Sequence, residues 1–190
     1  MSSSAIPVAP DPSPPIITIG GVLQTGQNIE QYVWILRKDG EPVSTLEKID
    51  DESGYDSSNT VVYDFDDEFD MIKHFIKFII DKDIDFLEGH NINRFDNAYV
   101  LERYEVLYSL KKNTSNTPDE FKFVTPVLGR IKDDGSYIVK KTFSSNQKGA
   151  HEQFKLHFPG RVVIDSYDVM KSQHNESSYK LDNLALKYLS

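Results

Sequence analysis

The sequence predicts a mixed α/β fold, in which helices pack on a mixed β-sheet. Runs of β-branched and aromatic residues come first, and strand-like and helix-like segments then alternate towards the C-terminus, an order typical of such folds. Of the 190 residues, 38% are hydrophobic and 12% are aromatic, which is enough apolar surface to form a buried core. The length corresponds to one large domain and argues against a complete multidomain enzyme.

Charge and cysteine content exclude several classes of protein. The 30 acidic and 21 basic residues give a net charge of -9, which argues against a protein that coats a polyanion through many lysines and arginines. The chain contains no cysteine, so disulfide scaffolds, thiolate zinc sites and cysteine nucleophiles are excluded. The longest apolar runs fall far short of the roughly 20 residues that span a bilayer, and no signal peptide is visible. We therefore expect no membrane partner and no secretion.

The N-terminal third predicts a flexible segment followed by three strands. Residues 1–15 contain five of the nine prolines and a run of serines, and we expect them to be extended and flexible, with the ordered domain covering residues 16–190. The β-branched run at Ile16–Ile19 predicts a strand that ends at Gly20 and Gly21. Gln31–Leu36, with a turn at Lys38–Gly40, and Thr60–Phe65 predict the next two strands, and we expect all three to form an antiparallel meander.

An acidic stretch precedes the first predicted helix. About twelve acids against one lysine lie between Asp39 and Asp70, and their spacing favours a solvated loop over a calcium site. We expect Asp66 or Asp67 to cap the helix, since acids there meet exposed N–H groups. The helical spacing of apolar residues predicts its buried stripe, which consists of Phe69, Ile72, Phe75 or Ile76, and Ile79 or Ile80.

The remaining elements alternate between strands and helices. Asp85–Asn91 predicts a short buried strand, and a helix is expected to begin between Phe95 and Asn97 and to bury Val100 or Leu101, Tyr104, and Leu107 or Tyr108. Lys132–Gly135 is a strong hairpin signal. The other predicted elements are the hairpin strands Phe121–Leu128 and Gly135–Phe143, a buried strand at Arg161–Asp165, and helices at Tyr167–Gln173 and Leu181–Leu189.

The stretch from Gly89 to Asp96 is the most informative part of the sequence. A glycine leaves a strand, polar residues follow, and Phe95-Asp96 opens a helix. A carboxylate at a helix N-terminus is stabilised as an anion and suits Mg²⁺ or Mn²⁺, which prefer oxygen ligands. From spacing alone, however, Asp96 is better explained as an ordinary helix cap than as a metal ligand.

The residues around Asp96 favour its interpretation as a metal ligand over that as a helix cap. Asp85–Arg103 resembles the second exonuclease motif of family B DNA polymerases, in which a Gly-aromatic-Asn-Ile segment is followed by Asn-Phe-Asp. His90 stands at the aromatic position of that motif. Further segments resemble the same family in the same order: Asp11–Leu23, Thr142–Glu152, Gly160–Asp165 and Ser178–Ala185.

This resemblance implies a ribonuclease H-like 3′–5′ exonuclease domain with an inserted β-hairpin. Such a domain edits the primer 3′ end for a polymerase and uses Mg²⁺ or Mn²⁺ in two-metal hydrolysis. Asp96 matches a catalytic metal ligand, and Asn91 and Phe95 match positions that contact the terminal nucleotides, where an aromatic ring can stack on a base. The implied partners are single-stranded DNA and the rest of the polymerase, either on the same chain or as a separate subunit.

The hairpin region is the part of the chain with a positive charge. Residues 122–161 contain eight basic and three acidic residues, a charge of about +5, and the hairpin resembles the one that helps to separate primer from template in this family. We expect Lys140 and Lys141 to contact DNA phosphates, although an ordinary solvated hairpin explains these charges equally well. The Asn/Asp/Lys-rich composition points to a large DNA virus, and the expected location is the nucleus or a cytoplasmic viral replication site.

Two family motifs have no counterpart in the sequence. The Asp-x-Glu motif should precede the Asp-Pro segment, but residues 1–10 contain no acid, and the Tyr/Asp motif should follow the Ser-Tyr segment beyond Ser190. Because only one of four expected carboxylates is present, we expect a partial domain, incomplete at both ends and inactive alone. The alternative is a non-catalytic nucleic-acid-binding module with the same fold, and an Asp-x-Glu strand encoded upstream would discriminate the two.

Other polar residues are expected to be structural. Asp165 ends a predicted strand, and a structural or capping role is favoured over catalysis. Asp182 is expected to be an exposed acid in the first turn of a helix. The five histidines show no metal-ligand spacing, which argues against a histidine metal site.

Overall fold

A computed structural model describes residues 14–37, 59–93, 95–114, 128–131, 137–145 and 149–189. These residues form two compact units, one ending at Phe78 and the other beginning at Ile79. The described part is a mixed α/β structure, as the sequence predicts. Most of the predicted flexible segment, the turn at Lys38–Gly40 and most of the acidic stretch lie outside the described residues.

The first unit is built on a three-stranded sheet with the order β1-β2-β3. β1 is antiparallel to β2, but β3 is parallel to β2, so the predicted antiparallel meander is wrong. Residues 37–59 connect β2 to β3, and a connection of this length allows the chain to return in the same direction. The strands are β1 (Thr18–Thr25), β2 (Asn28–Leu36) and β3 (Thr60–Phe65).

β1 is longer than predicted because the two glycines do not end it. Gly20 pairs with Val33 and Gly21 with Tyr32, since a glycine supplies the same backbone donors and acceptors to a ladder as any other residue. A turn at Gly26, whose φ is 62°, joins β1 to β2. The positive φ is the reason that a glycine stands there.

The core of this unit lies between the sheet and α1 (Glu68–Asp81). Trp34 is 1% exposed and packs with Tyr32 and Met71, and its indole Nε1 donates to His74 Nδ1 at 2.8 Å. Asp67 caps the helix, because its Oδ1 accepts from the Asp70 N–H at 3.0 Å. The predicted stripe is confirmed at Phe69, Ile72, Ile76 and Ile79, and buried Met71 extends it, while Ile80 is exposed.

The second unit contains two strand pairs and three helices. β4 (Phe86–Gly89) is parallel to β7 (Val162–Asp165), and β5 (Tyr137–Ser145) is antiparallel to β6 (Gly149–His157). Of the predicted partner of β5, Phe121–Leu128, only Leu128 is described. The strand observed to pair with β5 is β6, which was not predicted from the sequence, and these two strands are called the hairpin below. The hairpin signal at Lys132–Gly135 also lies outside the described residues. The helices are α2 (Asp96–Thr114), α3 (Ser166–Gln173) and α4 (Leu181–Tyr188).

β4 and β7 are not buried on both faces, which corrects the prediction for both strands. Phe86 and Val162 are paired and exposed, Phe86 at 60%. Leu87 and Val163 are half-buried, and Asp165 is buried. Because successive side chains point to opposite faces, one face of this strand pair is turned inward and the other is exposed.

α2 confirms the periodicity predicted for it. α2 buries Ala98, Leu101, Tyr104 and Tyr108, and α4 buries Leu184. Asp182 is an exposed acid in the first turn of α4, as predicted. No helix in the described ranges is long and apolar enough to cross a membrane.

Candidate nucleic-acid and metal site

The candidate site is the loop between β4 and α2, residues 89–96, called the site loop below. Gly89 ends β4, and a Cβ on it would collide with the Ile92 side chain, so only glycine fits at this close approach. Asn91 has a φ of 63°, a left-handed conformation that asparagine tolerates better than most residues. The chain therefore turns sharply as it leaves the strand.

Asp165 holds the site loop in this conformation. One carboxylate oxygen accepts from the Asn91 N–H at 2.7 Å and from the Tyr167 N–H at 3.0 Å, and the other accepts from the Asn93 N–H at 3.0 Å. The Tyr167 bond caps α3, which confirms the predicted capping role. The sequence did not reveal the bonds to the site loop, because Asp165 and Asn91 are 74 positions apart.

His90 adds a second connection between the site loop and the C-terminal helices. Its Nε2 lies 3.0 Å from the carbonyl oxygen of Tyr179, and its Nδ1 lies 3.1 Å from Ser166 Oγ. Because a carbonyl only accepts, Nε2 carries the proton, and in the neutral ring Nδ1 accepts from the Ser166 hydroxyl. The ring also meets Tyr167 edge-on at 5.7 Å, so His90 connects the site loop to α3 and to the segment before α4.

The structure brings three of the predicted site residues together on the site loop. Asp96 is the exposed first residue of α2, where the positive end of the helix dipole stabilises a carboxylate. Phe95 is 38% exposed, and its N–H donates to the Asn91 carbonyl at 3.3 Å. Asp96 and the Phe95 ring are therefore adjacent and reachable from solvent.

Two asparagine side chains of the site loop have buried oxygens that find no hydrogen-bond partner in the described part of the chain. The Oδ1 atoms of Asn91 and Asn93 are buried and have no hydrogen-bond partner within the described residues. A buried acceptor without a partner costs free energy, so a donor that reached either oxygen would gain a hydrogen bond. Asn91 is a predicted site residue and Asn93 is not, although the Asn-x-Asn spacing is a signal that could have revealed it.

The donor set of the described residues does not by itself form a metal site. No group of three or more His, Cys, Asp or Glu residues that could hold an ion occurs in the described ranges. Mg²⁺ and Mn²⁺ prefer several oxygen ligands, and Asp96 supplies one carboxylate. The predicted DNA contacts Lys140 and Lys141 belong to β5, and their side chains lie outside the described part of the structure.

Comparisons with known proteins agree with the predicted resemblance. The family model for "DNA polymerase family B, exonuclease domain" matches residues 2–184. The chain is 35% identical to the DNA polymerase delta catalytic subunit of Plasmodium falciparum over 85% of its length, and 33% identical to that of Oryza sativa over 81%. It is 27% identical to the DNA polymerase catalytic subunit of Epstein-Barr virus over 97% of its length.

These relatives are much longer than the chain, which covers 14%, 13% and 16% of their respective lengths. They come from cellular organisms and from a virus, so the match does not single out the viral source suggested by composition. With a family model that matches nearly the whole sequence, this chain belongs to the family of exonuclease domains of family B DNA polymerases.

Proposed function

We propose that the chain contributes one metal-binding carboxylate and a nucleotide-binding loop to a 3′–5′ proofreading exonuclease with a ribonuclease H-like fold. In this proposal residues 16–190 are part of that domain, in a longer polymerase chain or beside a separate polymerase subunit. The observation that carries the proposal is the pairing of an exposed carboxylate, Asp96, with an exposed aromatic ring, Phe95, on a loop whose backbone is fixed by buried Asp165.

Asp96 is the proposed catalytic residue and a ligand to Mg²⁺ or Mn²⁺ in the complete domain. Two divalent cations repel each other, and one carboxylate does not hold both, so the remaining ligands must come from residues outside the described part. When bound, the ions would lower the pKa of a water and stabilise the leaving oxygen. The part played by this chain is to hold the Asp96 backbone rigidly at the start of α2.

The proposed ligand is the unpaired 3′ end of a DNA primer. Phe95 offers an exposed ring on which a base can stack, and in this proposal Asn91, on the same loop, also lines the nucleotide site. Lys140 and Lys141 would contact phosphates through the hairpin, where the positive charge of the chain is concentrated. The proposed location is wherever replication takes place, either the nucleus or a cytoplasmic viral replication site.

Base stacking is tested by replacing one exposed phenylalanine and using another as the control. Binding of a single-stranded oligonucleotide with a 3′-terminal 2-aminopurine is followed by anisotropy and by quenching of the base. We expect Phe95→Leu to weaken binding by about tenfold, as expected for the loss of one stacked base, and to remove the quenching. Phe86→Leu, a change at the exposed end of β4, should leave both signals unchanged. Equal effects of the two substitutions would contradict the proposal.

The phosphate contacts are tested by the salt dependence of the same binding reaction. Replacing both Lys140 and Lys141 with alanine should weaken binding and reduce the slope of log K against log salt by roughly 0.7 for each lost contact. Lys77→Ala, which removes an exposed charge from α1, is the matched control. An unchanged slope in the double variant would show that these lysines do not contact DNA.

A non-catalytic nucleic-acid-binding module remains the second candidate. The observation that favours it is that, in the described ranges, Asp96 has no companion acids with which to form a metal site. The two candidates differ in what Asp96 does. A binding module should lose DNA affinity when Phe95 is replaced, but it should be indifferent to Asp96→Asn in the presence and in the absence of Mn²⁺.

A further inference from the structure

Two arginines fasten together the two ends of the hairpin insertion. Arg130 precedes β5 and Arg161 follows β6. The Arg130 N–H donates to the Pro159 carbonyl at 2.7 Å and its Nη1 donates to the Gly160 carbonyl at 2.9 Å. In the opposite direction, Arg161 Nε donates to the Leu128 carbonyl at 2.6 Å. The base of the hairpin is therefore closed by bonds from both sides.

The same arginines also hold the segment that leads into β4. Arg130 Nε contacts Asp83 Oδ1 at 2.6 Å, and its Nη2 contacts the Asp83 carbonyl at 2.8 Å and Asp85 Oδ1 at 2.6 Å. Arg161 Nη1 donates to the Ile84 carbonyl and lies 3.4 Å from Asp83 Oδ1. We call these four side chains, Arg130, Arg161, Asp83 and Asp85, the arginine clamp.

The backbone around the arginine clamp leaves little room for movement. A Cβ on Gly129 would lie 2.8 Å from Pro159 Cδ and 2.9 Å from its carbonyl oxygen. Gly160 has a φ of 80°, and a Cβ there would lie 3.1 Å from Arg130 Cβ. The segments before and after the hairpin thus touch, and both glycines are needed for this approach.

Arginine suits this position better than lysine does. Its rigid guanidinium presents five donors in a plane, whereas lysine carries one compact charge. The hydrogen bond that Arg130 donates lowers the pKa of Asp83, and the bonds that Arg130 donates to Asp83 and Asp85 raise its own pKa. Exposed ion pairs contribute little to stability individually. We therefore interpret the several bonds of the exposed Arg130 guanidinium as fixing the orientation of the segments that it joins.

The arginine clamp and the site loop lie at opposite ends of one strand. Asp83 and Asp85 precede β4, and Gly89 at its end begins the site loop. β4 has four residues, so about 13 Å of extended chain separates the two ends. If the clamp fixes the orientation of the hairpin, the short strand β4 therefore also fixes that orientation relative to Asp96.

We propose that the arginine clamp is a positioning device for DNA: it sets the angle of the β5–β6 hairpin so that the hairpin contacts DNA phosphates while the 3′ end lies at the site loop. Arg130 and its two aspartates are positioning residues, not DNA contacts. This inference rests on the proposed function, because it requires the hairpin to meet DNA.

Removing the two acids of the clamp tests the positioning role against simple electrostatics, because the two predict opposite changes in DNA affinity. Asp83→Asn with Asp85→Asn removes two negative charges, so simple electrostatics predicts tighter DNA binding. A positioning role predicts binding that is weaker by roughly threefold or more, because phosphate contacts are lost. Asp182→Asn removes a negative charge at the start of α4 and should leave binding unchanged or slightly tighter. Equal or tighter binding by the double variant would overturn the inference.

Arg130→Lys tests geometry at constant charge. Lysine keeps the positive charge but cannot make the bonds to Asp83, Asp85 and Gly160 together. We expect weaker DNA binding and a shallower salt slope, since contacts made by the hairpin are lost. A variant that binds with the parental affinity and slope would mean that only the charge of Arg130 matters, which contradicts positioning.

The closing experiment measures the hairpin directly, in the full 190-residue chain. Because the chain has no cysteine, spin labels can be attached at Leu110→Cys, an exposed position of α2, and at Thr142→Cys in β5. We expect a narrow distance distribution in the parent and a broader one in Arg130→Lys and in the two-aspartate variant, with unchanged far-UV circular dichroism. An equally narrow distribution in the variants would refute the clamp.

The outcomes separate this inference from the function on which it rests. If replacement of Lys140 and Lys141 leaves DNA binding unchanged, the proposed DNA contact by the hairpin fails. If those lysines matter but the clamp variants bind DNA like the parent, the inference alone fails.

Discussion

Asp165 is the residue on which the conformation of the site loop depends most directly. Its buried carboxylate accepts three backbone N–H groups from two segments. We expect Asp165→Ala to lower the free energy of unfolding by about 3 kcal/mol, because several buried donors lose their acceptor. Asp165→Asn should cost less, about 1–2 kcal/mol, since its amide oxygen still accepts.

Urea unfolding of the two Asp165 variants checks this expectation. Asp182→Asn, at the exposed first turn of α4, should change stability by no more than about 0.5 kcal/mol. If Asp165→Ala were as stable as this control, the bonds to Asn91, Asn93 and Tyr167 would contribute nothing measurable.

Glu176 should make the stability of the C-terminal region depend on pH. Lys187 Nζ donates to its oxygens at 2.7 and 2.8 Å, and Tyr188 Oη donates at 2.5 Å. These bonds lower the pKa of Glu176 from its ordinary value of 4.5. A lowered folded-state pKa means that the stabilisation is fully present above pH 4.5 and is lost as the pH falls through the lower folded value.

Thermal unfolding of the parent and of Glu176→Gln between pH 3 and pH 7 checks this pH dependence. The parent should unfold at a higher temperature near pH 7, and the two curves should converge towards pH 3, because glutamine does not titrate. A difference in Tm that stays constant over this range would show that the ionised carboxylate is not the cause.

At the scale of elements, two glycines control how the hairpin joins the domain. We expect Gly160→Ala to destabilise the protein by about 1–2 kcal/mol, because alanine disfavours the positive φ. Gly129→Ala should cost about 1–3 kcal/mol, since its Cβ would press on the Pro159 backbone. Gly20→Ala in β1 meets no atom within 4 Å and should be neutral or slightly stabilising. Chemical unfolding of the three variants gives this order, and a Gly20→Ala cost equal to that of Gly160→Ala would contradict it.

The sequence predicted where elements lie better than how they pair. The periodicity of α1 and α2 and the β-branched runs of β2 and β3 are local patterns, and the structure follows them closely. Pairing direction is not local. Nothing within Gln31–Leu36 or Thr60–Phe65 distinguishes a parallel from an antiparallel partner, and an apolar run does not show that one face, at Phe86 and Val162, is exposed.

The candidate site shows the same division between local and long-range information. Asp96, Asn91 and Phe95 could be identified from the sequence because they form one short motif with the family spacing. The bonds that hold this motif come from Asp165, Ser166 and Tyr179, which are 72 to 89 positions away from their partners. Such contacts depend on how β4 and β7 pair, and a single sequence does not specify that pairing.

At the scale of the whole molecule, the charge of the chain is unevenly divided. The net charge is -9, yet residues 122–161 carry about +5 by our count. Most of the chain should therefore repel DNA, while the hairpin region attracts it. Repulsion elsewhere would limit DNA binding to the positively charged region, as the proposed function requires.

If the chain is part of a polymerase, as proposed, Asp96 should affect proofreading but not synthesis. The proposed catalytic role of Asp96 requires further metal-binding carboxylates, and the chain covers 13–16% of the length of the three longer relatives. In a polymerase polypeptide that contains this sequence, we expect Asp96→Ala to slow the excision of a mismatched 3′ nucleotide by on the order of 100-fold or more, because a metal ligand is lost. Extension of a matched primer should be unchanged, as should excision in the control Asp182→Ala.

The isolated 190-residue chain should behave differently, because the described ranges offer Asp96 no companion ligands. We expect no Mg²⁺- or Mn²⁺-dependent digestion of single-stranded DNA above the background of Asp96→Ala, while binding of the strand remains sensitive to Phe95→Leu. Denaturing gels with a 5′-labelled oligonucleotide measure digestion, and native gels with the same oligonucleotide measure binding. Vigorous 3′–5′ digestion by the isolated chain, abolished by Asp96→Ala, would mean that its own acids outside the described ranges complete the metal site.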